Sequence, residues 1–146
     1  MTTSARNPWK AYRQVATQTA PPGQLVLMLY DGAIRFSERA LTGFDSTDPG
    51  DRNQTINNNL NRAMDIVREL NVCLDTEAGG KLAGTLRDLY SYMERRLLES
   101  NLKKHRAGVD EVITHLKELR DAWATMLTNQ GQVQPEAQAH LEWQTN

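Results

Sequence analysis

Apolar residues recur along most of the chain at three- and four-residue steps, the period of a helix with one buried face. In the second quarter Ile56, Leu60, Ala63, Val67, Leu70 and Leu74 step by 4, 3, 4, 3 and 4. That is the seam of a helix packed in a bundle. Leu82, Leu86, Leu89 and Met93 follow the same rule, as do Val109, Val112, Leu116, Leu119, Trp123 and Met126. β-Branched residues do not cluster and no alternation lasts, so the pattern predicts no strand.

Breakers divide this pattern into four helices. Pro21-Pro22-Gly23 leads into a helix from about Gln24 to Phe44, and Asp48-Pro49-Gly50 spells a turn after it. A second helix runs from about Asp51 to Thr76 and is ended by Ala78-Gly79-Gly80. A third spans Lys81 to Lys103, and a fourth Val109 to Asn129, with Asp110 and Glu111 in its first turn, where acids suit the dipole. Four helices of roughly 20 residues with short connections predict an all-α antiparallel four-helix bundle over residues 21–130. Residues 1–20 are polar but carry Trp9, Tyr12, Val15 and Ala16 at helical spacing, a segment too short to stand alone as a helix. They read as a capping segment. Residues 131–146, Gln-rich, read as a loose polar tail.

The first helix has more apolar surface than one seam needs. Leu25, Leu29 and Phe36 make one stripe, and Leu27, Tyr30, Ile34 and Leu41 a second on another face. Met64, Ile66, Tyr90, Leu97 and Ile113 flank the seams of the other helices. These flanks either widen the core or form an external groove for an apolar helix of a partner. The groove reading selects Leu27, Tyr30, Ile34, Met64, Ile66, Tyr90, Leu97 and Ile113 as its lining. It makes Trp9, Tyr12 and Val15 the plug that fills the groove when no partner is present.

Composition adds limits rather than a site. A formal net charge of −1 gives no field to gather nucleic acid or anionic lipid. The single cysteine, Cys73, can form no internal disulfide, and no apolar run approaches a membrane span or a signal peptide. The chain reads as cytoplasmic. His105, His115 and His140 are scattered, with no Glu-x-x-His pair for a di-iron bundle and no partner for Cys73 in a zinc site. Phosphate loops and nucleophile elbows are also missing from the sequence, so no catalytic residue, metal or cofactor is expected and the chain reads as a non-enzyme. Arg95, Arg96, Lys103, Lys104 and Arg106 cluster near one helix end, diluted by Glu94 and Glu99 and without aromatic platforms. They read as a solvated helix end rather than a nucleic-acid patch.

Several blocks in order resemble a known family. Ala11-Tyr12, Val15, Thr19-Ala20, Pro22-Gly23 and the run LVLMLYDGAIRF (Leu25 to Phe36) resemble the N-terminal signature of the flagellar secretion chaperones called FliS. The blocks MDIVRELNVCLD (Met64 to Asp75), GGKLAGTLRDLYSYMERRLLESNLKK (Gly79 to Lys104) and EVITHLKELRDAW (Glu111 to Trp123) extend the resemblance to about Leu127. It implies a helical bundle that binds the C-terminal region of flagellin in the bacterial cytosol, prevents premature polymerisation and delivers the subunit to the flagellar export gate. It further implies that the flagellin segment becomes helical on the chaperone, and that Tyr12 matches a tyrosine in an N-terminal cap that moves aside for the client. The chain departs from the family at Pro21, where Ser is usual, and at Ser37, where Leu often follows the Phe. Trp9 stands where a smaller apolar residue is common. The rival reading is a homodimerising helical module that uses the same surplus faces without a flagellin client.

Overall fold

The computed structural model describes residues 22–74 and 76–129. The proposed plug residues Trp9, Tyr12 and Val15, and the 131–146 tail, lie outside them. Four helices follow one another: α1 (Pro22–Phe44), α2 (Pro49–Val72), α3 (Thr76–Lys103) and α4 (Ala107–Asn129), with no strand among the described residues. Successive helices are joined by short turns, and α1 packs on both α2 and α4, while α3 packs on α2 and α4. The result is the expected all-α four-helix bundle, with its core along the axis.

Local chemistry sets the helix ends. The carboxylate of Asp48 accepts from the Asp51 amide at 2.9 Å and caps α2, with Pro49 as its first residue. The Asp48-Pro49-Gly50 turn thus belongs to the start of the helix. At the end of α3, Lys104 takes a left-handed φ of 54° and the His105 amide bonds back to the Ser100 carbonyl at 3.1 Å. That closure is usually built on glycine.

The α2–α3 boundary corrects the sequence reading. The helix expected to reach Thr76 ends at Val72, and Ala78-Gly79-Gly80 does not stop it but lies inside α3. Gly80 sits there at φ 56°, ψ −130°, a non-helical backbone state open to glycine, so a short first turn is kinked away from the long helical run that begins at Lys81, where the spacing starts it. Leu82, expected in the core seam, is 67% exposed.

The remaining seams are where the spacing puts them. Ile56, Leu60, Ala63, Val67, Leu70, Met93, Val109, Val112 and Leu116 are all buried. Leu74, Leu86, Leu89, Leu119, Trp123 and Met126 are half-buried against them. Among the described residues no helix is long and apolar enough to cross a membrane.

Candidate functional site

The bundle is open at one end. A cavity of about 600 Å³ lies where the start of α1, the end of α2, the bent start of α3 and the end of α4 converge. Val26, Leu70, Leu74, Leu86, Trp123 and Met126 supply most of its apolar wall, Leu82 and Cys73 stand at it as exposed groups, and Tyr30 and Tyr90 also face it. Its size falls in the range of ligand pockets, roughly 300–1,000 Å³. A lining so poor in polar groups suits apolar side chains, each worth roughly 1.5–3 kcal/mol when fully buried.

Three contacts hold this end in shape. The Trp123 indole donates to the Gly23 carbonyl at 2.8 Å and ties the end of α4 to the start of α1. The hydroxyls of Tyr30 and Tyr90 bond to each other and join α1 to α3, with the ring centroids 6.4 Å apart. Burial pushes Tyr30 far above the ordinary tyrosine range, reinforced by Tyr90, and burial also raises Tyr90. Both stay protonated, as a buried hydroxyl pair in apolar surroundings requires. Deeper in the bundle, Arg120 Nε lies 2.9 Å from Asp31 Oδ1, and both side chains are buried. Burial raises the Asp31 carboxyl above the ordinary carboxylate range despite the opposing pull of Arg120.

The eight residues read as a groove lining are all buried: Leu27, Tyr30, Ile34, Met64, Ile66, Tyr90, Leu97 and Ile113. Of these, the cavity brings together Tyr30 and Tyr90. Leu27 lies beside it in a small cluster with Ala124 and Leu127, against which Trp123 and Met126 pack. Ile34, Met64, Ile66, Leu97 and Ile113 belong to the main core. Close helix packing explains part of this: a Cβ on Gly32 would lie 3.2 Å from Ile66 Cδ1, and one on Gly43 3.0 Å from Ile56 Cγ1. With α1 pressed against α2 on one side and α4 on the other, both of its apolar stripes are covered. Among the described residues these eight flanks are therefore part of the core, and the end cavity is an apolar surface that stays open.

The groups weighed for chemistry are spread over the surface. His105 is exposed, and His115 Nε2 lies 3.5 Å from Glu111. His140 lies outside the described residues. Among the described residues no three of His, Cys, Asp and Glu gather in a way that could hold a metal ion. Most of the basic cluster is answered by acids. Arg96 pairs with Glu99 and Glu111, Lys103 with Glu99, and Arg106 with Asp45 and Asp110. Sequence reasoning found Tyr30 and Tyr90 separately but not their pairing, and missed the Asp31–Arg120 bridge. The one available signal was a charged residue on the core-facing side of each of α1 and α4.

The family model for the flagellar protein FliS matches residues 5–130. Among curated proteins, the flagellar secretion chaperone FliS of Bacillus subtilis (strain 168) is 36% identical over 118 residues, covering 81% of this chain and 84% of its own length. The protein of the same name from Salmonella typhimurium is 37% identical over 119 residues, 78% of this chain and 85% of the relative. That of Escherichia coli (strain K12) is 36% identical over 131 residues, 86% and 93% of the two chains.

Proposed function

This chain belongs to the flagellar protein FliS family, and we propose that it is a non-catalytic secretion chaperone that holds the C-terminal region of flagellin in the bacterial cytosol. The observation that carries this reading is the apolar cavity at one end of the bundle, walled by all four helices. Apolar side chains of a client segment enter it and are kept from pairing with other subunits. A segment that folds on binding loses some 2–5 kcal/mol of its interaction to ordering, which keeps the complex releasable. Release takes place at the flagellar export gate, to which the chaperone brings the client as a monomer or weak homodimer. Tyr30, Tyr90 and Leu27 give the cavity its inner wall, and Ile34, Met64, Ile66, Leu97 and Ile113 come into contact with the client only where binding spreads neighbouring helices.

The N-terminal segment is the natural plug. It joins α1 at Pro22, next to Gly23 and the cavity-lining Val26, so its point of attachment lies beside the opening. Trp9, Tyr12 and Val15 fill it in the absence of client and scale the apparent affinity down by the fraction of molecules left open.

The test is titration of full-length flagellin, and of flagellin lacking its C-terminal segment, into this protein and into Leu82→Asp. Leu82 stands exposed at the cavity, so a charge there leaves the fold intact by circular dichroism. Binding of full-length flagellin alone, weakened at least tenfold by Leu82→Asp, is the expected result. Equal binding of the truncated client, or undiminished binding by the variant, would refute the site. A stable dimer in size-exclusion chromatography that ignores flagellin would instead favour the homodimerising module.

A further inference from the structure

The outer seam between α1 and α2, away from the cavity, has an unusual charge pattern. From Arg52 to Met64 the chain has no carboxylate, and Asn53, Gln54, Asn57, Asn58 and Asn61 present exposed neutral amides. Across the seam, the guanidiniums of Arg39 from α1 and Arg62 from α2 each lie 5.6 Å from the centroid of the Phe36 ring. Their central carbons are therefore no farther apart than twice that distance. Further along, Arg52 lies 5.3 Å from the centroid of Phe44. Among the described residues none of these three arginines has a carboxylate within ion-pair distance, a state they share with Arg35, Arg87 and Arg95, whereas Arg68, Arg96, Arg106 and Arg120 are paired. The nearby Glu38 is engaged by Lys117 of α4, 3.2 Å away on the opposite flank. Burial, and after it the charge of Arg52, holds the Lys104 amine below its ordinary value.

We propose that this seam is a second docking face, which takes a carboxylate-rich segment of a partner protein. Cation–π attraction to a phenylalanine ring holds a guanidinium at the surface without using up its N–H donors, and that planar fork of donors is what grips carboxylates in pairs. Two such forks across one ring suit carboxylates one helical turn apart on a partner. A nucleic acid fits less well. Each ring already has a guanidinium over it, the patch is short, and the whole chain is net negative. The face is separate from the end cavity and does not depend on what occupies it.

The experiment uses the full chain and a fluorescent helical peptide with glutamates spaced four residues apart, followed by anisotropy at low ionic strength. Expected are binding that weakens steadily with added salt and at least a tenfold loss in Arg39→Gln/Arg62→Gln. Arg68→Gln/Arg95→Gln, which changes the net charge equally, leaves binding unaltered. Arg39→Lys/Arg62→Lys, which keeps charge but not the fork, loses several-fold. No binding at low salt, equal loss in both glutamine pairs, or a single-stranded DNA of matching charge that binds as tightly and competes with the peptide would each overturn the proposal. Circular dichroism of each variant shows that the bundle is intact, and the lysine pair keeps the test decisive if the glutamine pair is not.

Discussion

Arg120 on α4 reaches across the bundle to place Nε 2.9 Å from the carboxylate of Asp31 on α1, with both side chains more than nine-tenths buried. The same guanidinium also meets Asp121 at 3.2 Å. A buried pair of this kind fixes the register of two helices more than it stabilises them, because attraction and desolvation nearly cancel.

Asp31→Asn should therefore cost about 3–5 kcal/mol in denaturant unfolding, because it leaves a buried guanidinium without its principal counter-charge. The double replacement Asp31→Leu/Arg120→Met should recover most of that loss. A double variant as unstable as the single one would mean that the pair contributes strong net stabilisation.

The tyrosine pair obeys similar logic with neutral groups. Tyr30→Phe or Tyr90→Phe alone strands the other hydroxyl in an apolar wall, at a cost of about 1–3 kcal/mol. Tyr30→Phe/Tyr90→Phe should be nearly neutral, and a thermal melt of the three variants checks the order.

Ser37 is fully buried, and its hydroxyl oxygen has no hydrogen-bond partner among the described residues. Ser37→Ala should raise unfolding stability by about 1 kcal/mol, since the cost of a dry hydroxyl is removed while the backbone is untouched. A fall in stability would point to a bound water there.

Lys104 holds a left-handed backbone that costs a side-chain-bearing residue roughly 1–2 kcal/mol. Lys104→Gly should gain about 1 kcal/mol of that, less the lost bond from Nζ to Asn101 Oδ1. Equilibrium unfolding in urea measures the difference.

The Tyr92 hydroxyl, followed by Arg96, holds the Glu111 carboxyl below its ordinary range. The unfolded chain therefore takes up a proton there before the folded chain does. This contribution to stability is complete above the unfolded value of about 4.3 and is lost as pH falls through the lower folded value. Glu111→Gln should flatten the acid limb of the stability–pH curve and leave its slope above pH 5 unchanged.

The residues show how far the sequence could be read. Period-3.6 spacing located every helix and most of the core, because a stripe such as Ile56, Leu60, Ala63, Val67 and Leu70 has one way to be buried. It carried α2 past Val72 to Thr76, because the chain leaves that helix at Cys73 with no glycine or proline to mark the exit, ahead of the Gly80 kink that it did read. It overstated the open surface because helix faces can be counted from a sequence but not the neighbours that cover them. Met64 and Leu97 are as deeply buried as the seams they flank. Tertiary partnerships such as Trp123 with Gly23, a hundred residues apart, left no local mark.

An even number of antiparallel rods returns the chain to the side from which it set out. Pro22 opens α1 and Asn129 closes α4 beside the cavity, while the turns at 45–48 and 104–106 sit at the far end, where Arg106 reaches Asp45 at 3.2 Å. A fluorophore attached at Pro22 or Asn129 would accordingly sit beside the mouth and compete with whatever enters. Probes meant to report occupancy without disturbing it belong in the distal turns.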